Sequence, residues 1–188
     1  MASLKRSLAF GVFIAASLAC TLAAAADPPP ADDSRRELAI KASYLYRLAP
    51  FVSWPVSVYA WRRAPLVICV QGHDPFGPIL DRAAGGQRVG SHPVTVRRLV
   101  RIEPGSGCHI VYLAGGPGQS CIQALQVLAG EPVLTVTDEA RGGARAKGIV
   151  HLLRQGGKVR FSIDTGQAEV NGVGISSKLL ALAVEVKR

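Results

Sequence analysis

The sequence predicts an α/β fold: a sandwich of helices on a mixed, mainly parallel sheet with a C-terminal antiparallel hairpin. Continuous apolar runs rich in β-branched residues have the composition of strands buried on both faces, and they lie at residues 65–70, 108–113 and 132–136. Helix-favouring segments separate these runs, as connections between parallel strands require. Farther on, the turn residues Gln155, Gly156 and Gly157 separate strand-like segments at 148–153 and 158–163, which predicts the hairpin.

A first helix is predicted from its end signals. Ser34 and Glu37 form a capping-box pattern that starts the helix, and apolar residues at helical spacing continue it. Pro50 lacks a backbone N–H, so it should kink the helix or end it before residues 53–55.

The remaining elements follow in order. Asp74 as N-cap and Pro75 as first helical residue predict a helix to about Ala84. Residues 89–100 are predicted as a strand interrupted at 90–93. Later helices are predicted at 119–129, 167–170 and 177–186, with Ser176 as N-cap of the last.

The first 26 residues have the pattern of a secretory signal peptide. Lys5 and Arg6 precede an uncharged apolar run, and small residues end at Ala26, where cleavage is predicted. Two alternatives stay open. The run could remain as a membrane anchor, although it is short for a bilayer of roughly 30 Å. Cys20 could carry a lipid, although the residues before it fit a lipid-attachment site poorly.

Residues 27–34 are rich in Pro and Asp and are predicted to form a disordered leader, so residues 35–188 form a single domain. The formal net charge is +9, with no run of five or more basic residues. Outside the cytoplasm this charge does not indicate nucleic acid. It suits anionic lipid headgroups, cell-wall polymers or an acidic protein face, or it simply keeps the protein soluble, which is the favoured interpretation.

Three cysteines remain once Cys20 is removed with the signal peptide. Cys69 lies in the first buried strand and Cys108 opens the second, so adjacent parallel strands could bring their Cβ atoms within the roughly 4 Å that a disulfide needs. Cys121 falls in the first turn of a helix, where a helix dipole can lower a thiol pKa. The alternative, a buried apolar thiol, is favoured.

Catalytic patterns are missing from the sequence. The glycines of residues 115–118 follow a strand but lack the Lys and Ser/Thr of a phosphate-binding loop and the spacing of a dinucleotide fingerprint. The four histidines are too widely separated to suggest a metal site. The sequence therefore predicts a non-enzymatic protein with no cofactor and no metal.

Two surface patches suit binding. The first holds both tryptophans of the chain within eight residues and comprises Trp54, Pro55, Tyr59 and Trp61. An equally weighted alternative is that these aromatic residues cover the sheet edge as part of the core. The second patch pairs Arg160 with Lys178 as an anion contact.

Several segments, taken in order, carry a family resemblance. They are residues 41–55, 72–77, 108–111, 133–138, 148–150, 159–164 and 174–183. Together they resemble the YfiR family over about residues 38–184. The resemblance implies a periplasmic, dimeric regulator that binds the sensor region of an inner-membrane diguanylate cyclase and holds it inactive, lowering cyclic-di-GMP and biofilm formation.

The same resemblance implies further features. An outer-membrane lipoprotein can sequester such a repressor. Cys69 and Cys108 match the positions of one family disulfide, whereas the second, C-terminal family disulfide has no counterpart, because no cysteine follows Cys121.

Two other functions stay open. One is a periplasmic small-ligand-binding sensory module, whose site would lie at the carboxyl ends of the parallel strands, at residues 72–74, 115–118 and 137–138. The other is an exported enzyme, for which the sequence offers no nucleophile–base pair.

Overall fold

A computed structural model describes residues 30–141 and 146–188 of the chain. The helices are α1 (Pro30–Arg47), α2 (Pro78–Ala84), α3 (Cys121–Leu128), α4 (Thr165–Val170) and α5 (Ser177–Leu180). The strands are β1 (Val52–Ser53), β2 (Leu66–Gly72), β3 (Arg88–Val89), β4 (His92–Leu99), β5 (Ile110–Gly115), β6 (Leu134–Asp138), β7 (Val150–Gln155), β8 (Lys158–Asp164), β9 (Gly174–Ile175) and β10 (Glu185–Lys187). The predicted signal peptide lies outside the described residues.

The main sheet has the strand order β10-β8-β7-β6-β5-β2-β4-β3. Strands β4, β2, β5, β6 and β7 run parallel, and β7 with β8 forms the predicted antiparallel hairpin. The mixed, mainly parallel sheet is therefore confirmed. We call the edge where β2, β5 and β6 begin the amino edge, and the edge where they end the carboxyl edge.

Two hydrophobic clusters fill the two faces of the sheet. The larger contains residues of α1 and α2, such as Leu45 and Leu80, with side chains of the central strands. The smaller contains α3 residues, the disulfide cysteines and alternate residues of β5, including Val111 and Leu113. Adjacent residues of β5 serve opposite clusters, because side chains alternate along a strand, which explains why the strand is apolar throughout.

The hairpin turn depends on two glycines. Gly156 and Gly157 have φ values of 57° and 72°. Two successive residues at positive φ match the right-handed twist of the flanking strands, and glycine adopts this conformation without a steric penalty. Gln155 and Lys158 are the last residue pair of the hairpin before the turn.

The ends of the first two helices differ from the sequence prediction. Helix α1 begins at Pro30, so Ser34 lies inside the helix and residues 30–34 are not a separate leader. A proline at the first position and acidic residues in the first turn favour this earlier start. Helix α2 begins at Pro78 rather than at Pro75, because Asp74 accepts a hydrogen bond from the Phe76 N–H in a turn before the helix.

The C-terminal segment also differs from its predicted helix over 177–186. Ser176 caps α5 as predicted, by accepting a hydrogen bond from the Leu179 N–H. The helix ends at Leu180, and the chain continues into β10, which runs parallel to β8 with Glu185 opposite Ser162. A strand of three residues depends on this long-range pairing rather than on local propensity.

Candidate functional site

The predicted aromatic patch lies at the amino edge of the sheet. Helix α1 runs from the carboxyl edge, where Lys41 contacts Asp138, to the amino edge, where the chain leaves it through a short 3₁₀ helix, Ala49–Phe51. The connection from β1 to β2 therefore crosses the starts of the central strands and carries both tryptophans. Pro50 lies in the 3₁₀ helix just past α1, so the predicted early end of the helix is confirmed.

Two histidines join this patch that the sequence analysis did not assign to it. The Tyr59 ring stacks between His92 and His109, with ring centroids 4.0 Å and 4.7 Å away. Trp54 meets His109 edge-on at 6.2 Å. His92 begins β4 and His109 immediately precedes β5, and strand starts share one edge of a parallel sheet. That placement is the signal that could have identified them.

His109 is held in its neutral form. Its Nδ1 accepts a hydrogen bond from the Val67 N–H at 3.1 Å, so the ring proton lies on Nε2. Burial lowers the pKa of His109, and the nearby His92 lowers it further. Within the described residues, His109 Nε2 and Trp54 Nε1 are buried without a hydrogen-bond partner. The cluster thus contains two unsatisfied N–H donors, which are uncommon in folded proteins.

The patch borders a surface hollow of about 460 Å³. We call it the aromatic hollow; its lining residues are Trp54, Val56, Tyr59, Trp61, Arg62, Ser91 and His92. Val56 and Trp61 are 89% and 63% exposed. The alternative that all these aromatic residues form core is therefore wrong for Trp61, whereas Trp54 and Tyr59 are half-buried.

The disulfide lies beside this surface. Cys69 and Cys108 are bonded with their Cα atoms 5.9 Å apart, so the predicted bridge is confirmed. Cys108 directly precedes His109, and the bridge fixes the start of β5 to β2. The disulfide therefore ties the segment that carries His109, one partner of the Tyr59 ring stack, covalently to β2.

A comparison with protein families decides the assignment. The YfiR/HmsC-like family model matches residues 38–184. The chain belongs to the YfiR/HmsC-like family. No match to the chain was found among the curated proteins.

Of the second predicted patch of this YfiR/HmsC-like protein, Arg160 lines a groove and Lys178 does not line it. Arg160 lines a groove of about 380 Å³ between α1 and the β7–β8 hairpin, together with Arg36, Arg154 and Lys158. Lys178 lies in α5 and is not among the residues lining that groove. Arg160 and Lys178 therefore do not line this groove together, and their pairing as an anion contact stays a prediction.

The carboxyl edge, where the sequence analysis placed a ligand site, is occupied by internal contacts. Asp138 is 2% exposed and accepts hydrogen bonds from Lys41 Nζ at 2.7 Å and from the Tyr112 hydroxyl at 2.9 Å. The backbones of Gly72 and Gly115 touch so closely that a Cβ on Gly72 would overlap the Gly115 carbonyl. These groups hold the strand ends to α1 and to each other.

Cys121 and His151 are two further buried titratable residues in the described chain. Cys121 is a buried free thiol in the first turn of α3, and burial raises its pKa, as expected for an apolar core cysteine. His151 is buried with its Nδ1 3.0 Å from the Thr137 hydroxyl, and burial, then the charge of Lys147, lowers its pKa.

Two absences can be stated for the part of the chain that the structure describes. Over residues 30–141 and 146–188, no three His, Cys, Asp or Glu side chains are grouped to hold a metal ion. Over the same ranges, no helix combines the length and apolar character needed to cross a bilayer.

Proposed function

We propose that this protein is a non-enzymatic periplasmic regulator that binds the sensor region of an inner-membrane diguanylate cyclase and represses it. The observation that carries the proposal is the family match over residues 38–184. Family members of this kind are regulators, and repression would lower cyclic-di-GMP and biofilm formation. The disulfide between Cys69 and Cys108 fits an oxidising compartment.

The aromatic hollow is the proposed contact surface for the cyclase. Exposed tryptophan and tyrosine side chains dominate the binding energy of many protein interfaces, because they bury a large area at little cost in side-chain entropy. Trp61 projects from the surface, while the Tyr59 stack holds the wall behind it rigid. A preorganised wall with one projecting aromatic residue is the arrangement expected of a docking site.

Deletion of the gene tests the regulatory function directly. Cellular cyclic-di-GMP should rise on deletion and return to its original level when the protein is supplied again. Trp61→Ala should fail to restore repression, since losing an interface tryptophan weakens binding by about 2 kcal/mol, roughly 30-fold. Ile122→Ala removes a 48% exposed apolar residue on α3 and should restore repression fully. Unchanged cyclic-di-GMP on deletion would overturn the proposal.

Two finer features complete the proposal. An outer-membrane lipoprotein would compete with the cyclase for the repressor, and the repressor would act as a homodimer. Cross-linking in cells tests the contact with the lipoprotein, and sedimentation of the purified protein tests the homodimer. A monomer at cellular concentration would remove the dimer from the proposal.

A small-ligand sensory module is the second candidate, and one observation favours it. Trp54 Nε1 and His109 Nε2 are buried donors without partners in the described chain, and Trp54 lines the aromatic hollow. A ligand acceptor atom would satisfy one of these donors after a small rearrangement. A thermal-shift screen with carboxylate and phosphate metabolites tests this, because a bound ligand raises the melting temperature. An absence of any shift would reject the sensory role.

A further inference from the structure

The two sequence segments that line the aromatic hollow contain no carboxylate. Residues 38–73 and 82–102, which supply all of the lining residues, include neither Asp nor Glu. They do supply exposed arginines at this edge: Arg62 lines the hollow, Arg63 follows it, and Arg88 holds the β3–β4 turn by donating to the Ser91 carbonyl. These segments therefore supply no carboxylate that could neutralise the positive charge there.

Two carboxylates belong to a neighbouring cavity. Glu103 and Glu131 line a neighbouring cavity of about 150 Å³ together with Val58 and His109. They are not among the lining residues of the aromatic hollow. Near the carboxyl end of β4, by contrast, Arg98 forms ion pairs with both Asp74 and Asp81, which shows how an arginine is neutralised in this protein. Neither Arg62 nor Arg63 has such a carboxylate in the described chain.

Apolar side chains project between these cations. Val56 is 89% exposed and Trp61 is 63% exposed, and both line the hollow. A projecting aliphatic residue, an indole ring and flanking arginines form the combination found where proteins rest on membranes. Trp favours the headgroup level, small apolar groups enter the acyl boundary, and arginines attract anionic headgroups.

We infer that the rim of the aromatic hollow, formed by Val56, Trp61, Arg62 and Arg63, docks on an anionic phospholipid surface. An acidic protein face would also complement the charge. It would, however, need carboxylates at fixed positions opposite Arg62 and Arg63, whose guanidinium groups make no hydrogen bond within residues 30–141 and 146–188. A fluid bilayer surface meets flexible arginines without matched geometry and also accepts the two apolar side chains.

Lipid docking goes beyond the proposed function and does not depend on it. The inner membrane presents anionic headgroups to an exported protein whether or not a cyclase is present. If both hold, the membrane would concentrate the regulator on the surface in which its partner is embedded.

Vesicle co-sedimentation with the purified exported protein tests the inference. The protein should bind phosphatidylglycerol vesicles, should not bind phosphatidylcholine vesicles, and should dissociate at high salt. Substituting Arg62→Gln and Arg63→Gln together should weaken binding roughly 10- to 30-fold, because each cation near an anionic surface contributes about fivefold. Val56→Ser should weaken it several-fold. A blue shift of tryptophan fluorescence on binding should be lost in Trp61→Phe.

Matched variants separate a local surface from general charge. Arg35→Gln with Arg36→Gln removes two exposed cations from α1, and Val100→Ser replaces a 74% exposed valine beyond the end of β4. Val100 follows β4 at the carboxyl edge, roughly 25 Å from the start of that strand at about 3.3 Å per residue. Both control proteins should bind vesicles as the original does.

The outcomes are distinct. If rim and control variants lose vesicle binding equally, binding depends only on net charge and the inference is overturned. A failure of the original protein to bind phosphatidylglycerol vesicles would overturn it as well. If rim variants keep lipid binding but lose the cyclase sensor region, the rim docks protein and the lipid inference falls. Retained lipid binding with unchanged cyclic-di-GMP on deletion would overturn only the proposed function.

Discussion

Lys41 provides the sharpest test of what holds α1 on the sheet. Its side chain is 4% exposed, and its Nζ pairs with Glu37 at 2.5 Å and with Asp138 at 2.7 Å. Asp138 is equally buried and also accepts hydrogen bonds from the Tyr112 hydroxyl and the Ala140 N–H. The lysine is thus the cation that compensates a buried carboxylate.

Replacement of Lys41 by methionine keeps the apolar stem but removes the charge. Asp138 would remain buried with two neutral donors and no cation, and breaking a buried pair in this way costs about 3–5 kcal/mol. For a domain of this size each kcal/mol lowers the melting temperature by about 2–4 °C, so the expected fall is roughly 6–20 °C.

Thermal and denaturant unfolding followed by circular dichroism measure this loss. Asp138→Asn combined with Lys41→Met should be less destabilised than the sum of the single variants, because the amide does not need a cation. Lys158→Met, at an exposed position in the hairpin, should change stability by no more than about 0.5 kcal/mol. A loss below about 1 kcal/mol in Lys41→Met, or strictly additive losses, would refute the role assigned to the pair.

Three further predictions concern the rest of the fold. Replacing Cys69 and Cys108 by serine should lower the free energy of unfolding by about 4 kcal/mol, since their bridge spans 39 residues. Stability should fall as pH drops below 6.5, because burial lowers the folded-state pKa values of His109 and His151, so the unfolded chain takes up protons first. Gly72→Ala should cost about 3 kcal/mol, of which positive φ accounts for roughly 1–2, with the overlap on Gly115 adding the rest.

Each of these predictions has its own measurement and control. Non-reducing mass spectrometry should find Cys69 linked to Cys108, and a link that involves Cys121 would contradict the assignment. Denaturant midpoints measured across pH test the lowered pKa values of the two histidines. His109→Gln should make the midpoint depend less on pH. A midpoint that rises on acidification would contradict the lowered pKa values. Gly86→Ala, also at positive φ but with open space around its Cβ, should cost only about 1–2 kcal/mol. If Gly72→Ala lowers the free energy of unfolding no more than Gly86→Ala does, the overlap with Gly115 does not contribute.

The central strands could be predicted because burial on both faces leaves a continuous apolar run. The hairpin could be predicted because two successive glycines indicate one kind of turn. The C-terminal strand β10 could not, since three residues carry too little pattern and its pairing partner in β8 lies more than twenty residues earlier. The start of α1 differs from its prediction because the prolines of residues 28–30 indicate a leader, although Pro30 is also a favourable first helical residue.

The candidate site was predicted in part for a similar reason. Both tryptophans and Tyr59 are close in sequence, so composition alone indicated a patch. His92 and His109 come from strands far along the chain, and only the sheet order brings their rings to Tyr59. Arg160 and Lys178 are paired by charge alone, and because charge does not fix position, their pairing stays a prediction.

The two edges of the sheet differ in how their polar groups are satisfied, and this difference supports the amino edge as the proposed site. Open α/β sheets usually bind ligands at the carboxyl edge, where loops leave a crevice. Here Lys41, Tyr112 and Asp138 satisfy one another at that edge. Within the part of the chain that the structure describes, the amino edge instead has buried donors without partners, exposed apolar side chains and arginines without a carboxylate partner. Because α1 is fixed at one edge by Lys41 and carries the chain to Trp54 at the other, the buried ion pair also sets the position of the proposed binding surface.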